Sequence, residues 1–164
     1  MRTHLLFAAA LMLALPAAQA ARGHAHGEGR LDAAIDKDTI TLNLALPLDA
    51  AVGFERAPQN EKERIALTHA EKLLNDAALL WQPTPAAACA VQAVAVDMPQ
   101  FAADGHADIE ARYVFRCANA AALKGVETTL FRQFRRLYRL ETQRIGPAGQ
   151  GKQRLTPKAP ALAW

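Results

Sequence analysis

Apolar and polar residues alternate over residues 30–35 and again over 39–46, with Asp36-Lys37-Asp38 between the two runs. Leu31, Ala33 and Ile35 share one face of the first run, and Ile40, Leu42, Leu44 and Leu46 share one face of the second. A period of two on either side of a short polar turn predicts a β-hairpin, ended by Pro47. Residues 48–58 read as an ordered loop with apolar anchors at Val52 and Phe54. After Asn60 the period changes. Ile65, His69 and Leu73 recur every fourth residue with Leu74 beside them, the spacing of one helix face. Asn60 is a good N-cap, and Glu61 and Glu63 suit the positive end of the helix dipole. Asp76 opens a further helical turn through Leu79, Leu80 and Trp81, which Pro83 and Pro85 stop.

Alternation returns from Cys89 to Val96, with Cys89, Val91, Ala93 and Ala95 set against Ala90, Gln92, Val94 and Val96. Met98-Pro99 closes that strand. After the loop 100–107, Ile109, Ala111, Tyr113, Phe115 and Cys117 line one face of the next strand. The pair predicts a second hairpin with both cysteines at its open end. Residues 119–123 form a turn and 126–131 a short strand, and Phe131, Phe134, Leu137 and Tyr138 fit one or two helical turns. Residues 139–145 and 152–156 flank a Gly- and Pro-rich connector and predict a final hairpin. Pro157, Pro160 and Trp164 lie in an extended tail, with Trp164 packing back. The sum is about seven strands and two or three short helices by these pattern rules. Strands grouped in hairpins imply an α+β single domain, mainly antiparallel sheet.

The first twenty residues stand apart. Arg2 and His4 precede the apolar stretch from Leu5 to Leu15, then Pro16, then the small-x-small signal Ala18-Gln19-Ala20. These are the three parts of a secretory signal peptide, so residues 1–20 are expected to be removed on export to the periplasm. Cleavage after Ala20 leaves 144 residues with 18 basic and 16 acidic side chains. So small a net charge is weak steering, and export removes nucleic acid as the natural partner. Export also changes the reading of Cys89 and Cys117. In an oxidising compartment two cysteines at the end of one hairpin are most simply a disulfide; a redox catalyst would need a C-x-x-C pair, which is absent.

No nucleophile elbow, zinc-protease helix, phosphate loop or dinucleotide fingerprint is present, so no catalysis is expected. The histidines carry the available chemistry. His24 and His26 lie in a Gly-rich leader, residues 21–29, that runs into the first strand. His106 lies in the loop between Asp104 and Asp108. Neutral imidazoles with a carboxylate or water would complete a four-coordinate zinc site. Copper is a weaker fit. Cleavage after Ala21 would make His24 the third residue and offer an amine, two amides and an imidazole in a square plane. His69 shares its stripe with Ile65 and Leu73 and reads as a packed structural residue. Arg132, Arg135, Arg136, Arg139 and Arg144 make the densest basic stretch, read as a solvated face rather than a membrane-binding one.

The order of several short segments resembles the ZrgA family of exported bacterial zinc-binding proteins. These are the leader His24-Ala25-His26-Gly27-Glu28-Gly29, the run Val52-Gly53-Phe54-Glu55-Arg56-Ala57-Pro58, the helix end at 72–79, and Cys89. Further on come the strand 109–117, Ala120-Ala121-Ala122-Leu123, Leu130-Phe131, Gly149-Gln150-Gly151, Leu155-Thr156-Pro157 and Leu162-Ala163-Trp164. The resemblance takes residues 30–164 as one ZrgA-like domain. It implies a zinc-binding protein that assists zinc acquisition by passing the metal to a transporter of the ABC type or to that transporter's binding protein. Relatives carry a long His/Asp/Glu-rich insertion after the position of Met98-Pro99-Gln100-Phe101. Here only residues 102–108 stand there, which implies reduced metal capacity, with at most one site near His106. The alternative reading is a metal-free periplasmic interaction module that uses the basic surface from Arg132 to Arg144.

Overall fold

The alternating runs become the two strands at the centre of the molecule. The computed structural model describes residues 26–101 and 107–164; the expected signal peptide lies outside them, as do His24, Asp104 and His106. Strand β1 (Glu28–Asp36) pairs antiparallel with β2 (Thr39–Pro47), Leu31 opposite Leu44 and Ile35 opposite Ile40. Their shared face is wholly buried at Leu31, Ile40, Leu42, Leu44 and Leu46. Each such leucine or isoleucine contributes roughly 1.5–3 kcal/mol relative to exposure. A one-residue slip would turn all of them to water, so the register is strongly specified.

Helix α1 (Leu48–Val52) follows β2 directly, inside the segment read as an anchored loop, and Val52 and Phe54 do pack on the core. Helix α2 (Glu61–Leu74) starts where expected, with the Asn60 side chain accepting from the Glu63 N–H at 3.0 Å. Its buried stripe is different from the one expected. Ala70 and Leu74 are buried, while Ile65 is 60% exposed and His69 lies on the surface. Leu67, Leu73 and the buried Ala70 and Leu74 make the contacts with the core instead, so His69 is not a packed core residue. A short α3 (Ala77–Leu80) leads through β3 (Trp81–Pro83) to β4 (Cys89–Asp97) and β5 (Asp108–Cys117). Tyr113 of β5 meets Trp81 edge-on at 5.5 Å between centroids and donates to the Leu74 carbonyl at 2.8 Å, tying the end of α2 to the sheet.

The chain then runs through β6 (Gly125–Thr128) and α4 (Leu130–Gln133), the hairpin β7 (Arg139–Gly146) and β8 (Gly149–Leu155), and β9 (Ala161–Ala163). The main sheet has the order β4-β5-β2-β1-β7-β8, and β3-β6-β9 form a second, three-stranded sheet. The architecture is α+β, a single domain rich in antiparallel sheet, with Trp164 packed against the core. One pairing is parallel, β1 with β7, because a long excursion rather than a turn separates them. Cys89 and Cys117 lie directly opposite across β4 and β5 and form a disulfide. Closing a loop of 28 residues this way contributes about 3.5 kcal/mol in the chain-entropy account.

Two further expectations are corrected. A bulge between Val91 and Ala93 adds one residue to β4, so Cys89, Val94 and Val96 pack against the core while Val91 is exposed, rather than a strict alternation from Cys89. The helical turn expected to run to Tyr138 ends at Gln133; Phe134 and Leu137 are buried without it, and Tyr138 is exposed.

Candidate metal centre

Three side chains meet where β1 begins and β2 ends. His26 Nδ1 lies 2.9 Å from Asp49 Oδ2 and 3.7 Å from Glu55 Oε1. One ligand atom from each residue falls within a 4.8 Å cluster. Each is positioned by a different local device. His26 precedes Gly27, whose φ is +71° and whose carbonyl accepts from the Tyr138 N–H at 3.0 Å. A β-carbon there would sit 2.6 Å from the Arg136 carbonyl oxygen and 2.7 Å from the Tyr138 ring, so only glycine fits.

Asp49 stands in the first turn of α1, next to Leu48, which is fully buried and donates its N–H to the Ala107 carbonyl at 2.9 Å. Gly53 ends α1 in the left-handed conformation, φ +90°, with its N–H on the Asp49 carbonyl at 2.8 Å. That reversal brings Glu55 back beside Asp49. Glu55 is held from behind. Arg56 makes two hydrogen bonds to Glu63, at 2.7 and 2.9 Å, and its guanidinium lies over the Phe54 ring at 5.3 Å. The Gln59 N–H also donates to Glu63, at 2.7 Å. Arg56 foremost, with the Gln59 N–H, holds the Glu63 carboxyl down at about 2.

The neighbouring carboxylate, Glu28, is engaged elsewhere. It pairs with Arg139 and accepts from the Tyr138 hydroxyl at 2.8 Å. Arg139 foremost keeps it below the usual carboxylate range. This pairing fastens the start of β1 to the start of β7, immediately below His26.

The donor set fits zinc. Tetrahedral zinc with ligands at about 2.0–2.1 Å separates its ligand atoms by about 3.3 Å, between the two distances measured from His26. One imidazole and two carboxylates are borderline and hard donors, which suit zinc better than cuprous copper. Asp49 Oδ1 is buried and has no hydrogen-bond partner. An orphaned carboxylate oxygen is costly, and a cation bound there would remove the cost. With three protein ligands the fourth position stays open, as in zinc sites that exchange ligands.

Of the residues expected from the sequence, His26 enters this cluster. Asp108 opens β5 opposite Pro47, two positions along the chain from Asp49. Its neighbour Ala107 accepts the Leu48 N–H, which fastens the start of β5 to the start of α1. Asp49 and Glu55 are not among the ligands that the sequence suggests. Their only signal was a glycine between two acids in a short loop. The basic stretch is not one face: Arg132 is on α4, Arg135 and Arg136 on the following turn, and Arg139 and Arg144 on β7.

The model of the family described as ZrgA family zinc uptake protein matches residues 23–164. The chain belongs to the ZrgA family. A role in zinc uptake follows, and it agrees with the resemblance read from the order of the segments. The match begins beside His24 and takes in the whole cluster, so the His26–Asp49–Glu55 centre lies within the ZrgA region. No curated protein matches the chain.

Proposed function

We propose that this ZrgA-family chain is a periplasmic, non-catalytic zinc carrier that holds one zinc ion at His26, Asp49 and Glu55 and passes it to an uptake transporter. The transporter is of the ABC type, reached directly or through its binding protein. The observation that carries the reading is the convergence of one imidazole and two carboxylates at His26, Asp49 and Glu55, in a chain of a zinc uptake family. A carrier must release its metal, and an exposed three-ligand centre with an open position favours exchange over permanent retention. His24, two residues before His26, and His106, next to the anchored Ala107, are the proposed sources of a supplementary ligand, with Asp104 and Asp108 nearby in sequence.

Protonated imidazole has no lone pair for a metal, so zinc affinity is expected to fall between about pH 7.5 and about pH 5, where imidazoles as a class take up a proton. Calorimetric titration of residues 21–164 at both values checks this. His26→Ala is expected to lose at least about tenfold in affinity at the higher pH, no less than is typical for groups that merely support a ligand. Equal affinity at the two pH values, or an unaffected variant, would exclude His26 as a ligand.

A further inference from the structure

Arg132, Arg135 and Arg136 are exposed, and none has an ion-pair partner among the described residues. Arg30, Arg56, Arg64, Arg116, Arg139 and Arg154 all do. Within five residues of one another, the three are the most closely spaced arginines without an ion pair among the described residues. Their location is specific. Arg136 is seated between the two loops that carry the proposed ligands. A β-carbon on Gly53 would lie 2.8 Å from its Nε and 3.0 Å from a terminal nitrogen, and one on Gly27 would lie 2.6 Å from its carbonyl oxygen. The two glycines that shape the centre thus also make room for this arginine. Although Asp49 and Glu55 flank Gly53 in the chain, Arg136 pairs with neither; both face His26.

Charge counting gives this arrangement a consequence, which rests on the zinc reading above. Without metal, the carboxylates of Asp49 and Glu55, on either side of Gly53, lower the positive potential around Arg136. With zinc, those carboxylates are neutralised and the positive potential at Arg136, with the exposed Arg132 and Arg135 close to it in the chain, is undiminished. We propose that zinc loading turns the Arg132–Arg135–Arg136 surface into a docking site for an acidic segment of the protein that receives the zinc. The loaded chain then presents itself to the acceptor and the emptied chain is let go. Opposed charges set encounter rates and partner choice in such contacts and act over about a Debye length, enough to span one turn of chain.

The test uses an acetylated hexaglutamate peptide, which lacks histidine and competes poorly for the metal. Its binding to residues 21–164 is followed by fluorescence anisotropy at low salt, with and without one equivalent of zinc. The loaded chain is expected to bind at least about fivefold more tightly, the lower end of usual coupling between sites. The difference should shrink at high salt and vanish in Arg132→Gln/Arg135→Gln, a variant that leaves the three ligands and Arg136 in place. Arg136→Gln is examined separately.

Peptide affinity that is the same with and without zinc would overturn the proposal. So would a zinc effect that survives both arginine variants. Zinc-independent binding to anionic lipid vesicles through the same arginines would replace it with a membrane contact. If the chain takes up no zinc, the calorimetric signal is absent at the outset; the zinc reading falls first, and this inference with it.

Discussion

At Gly53 the backbone turns through a φ of +90° while the Arg136 guanidinium occupies the space a β-carbon would take. Both facts oppose a side chain. Gly53→Ala is expected to destabilise the fold by about 1–2 kcal/mol from the left-handed conformation alone, more if Arg136 cannot move aside. Because this turn returns Glu55 to Asp49, the same variant is expected to weaken zinc binding. Urea denaturation with a zinc titration on one preparation checks both effects, and loss of stability with unchanged zinc affinity would separate the turn from the centre. The residue scale is also where sequence reading was blindest. His26 was legible because histidine is rare and its leader is glycine-rich. Asp49 and Glu55 were not, because acids are common on surfaces, and their closeness arises only once Gly53 reverses the chain.

At the scale of elements, long alternating runs were legible and short pieces were not. The pairing of β1 with β2 and the inward face of β5 follow directly from period two. Strands β3, β6 and β9, at three or four residues each, are too short to show a period. The extra residue in β4 breaks the pattern that would have revealed its inner face. The β1–β7 pairing joins segments more than a hundred residues apart, and no local signal announces it. The connection between α1 and α2 rests on Arg56 and Glu63, which gives it a pH signature. The folded Glu63 value of about 2 lies below the ordinary 4.5. Its contribution to stability is therefore complete above about pH 4.5 and is lost as the pH falls towards 2. Glu28, lowered chiefly by Arg139, acts with the same sign. Urea midpoints are expected to drop between pH 5 and pH 2.5, and less so in Arg56→Met; identical pH profiles for the variant and the parent would show that the Arg56–Glu63 contact does not hold this loop.

The described residues form a six-stranded sheet with helices and a small second sheet, and a polar end where His26 and Gly27, α1 and the turn after α4 converge. The core supports that end without contributing chemistry to it. The fold family was readable from the order of weak segments, none of them diagnostic alone, because each marks a conformational need: a glycine at a reversal, a proline at a strand end, a cysteine opposite its partner. The central claim is that the zinc site belongs to this polar end and rests on its two carboxylates. The most direct test is a calorimetric zinc titration at pH 7.5 on residues 21–164, comparing Asp49→Asn/Glu55→Gln with His24→Ala/His106→Ala. The account predicts one zinc per chain, with affinity lost by at least about tenfold in the carboxylate pair and weakened less in the histidine pair. Full zinc affinity without Asp49 and Glu55, and its disappearance without His24 and His106, would contradict it.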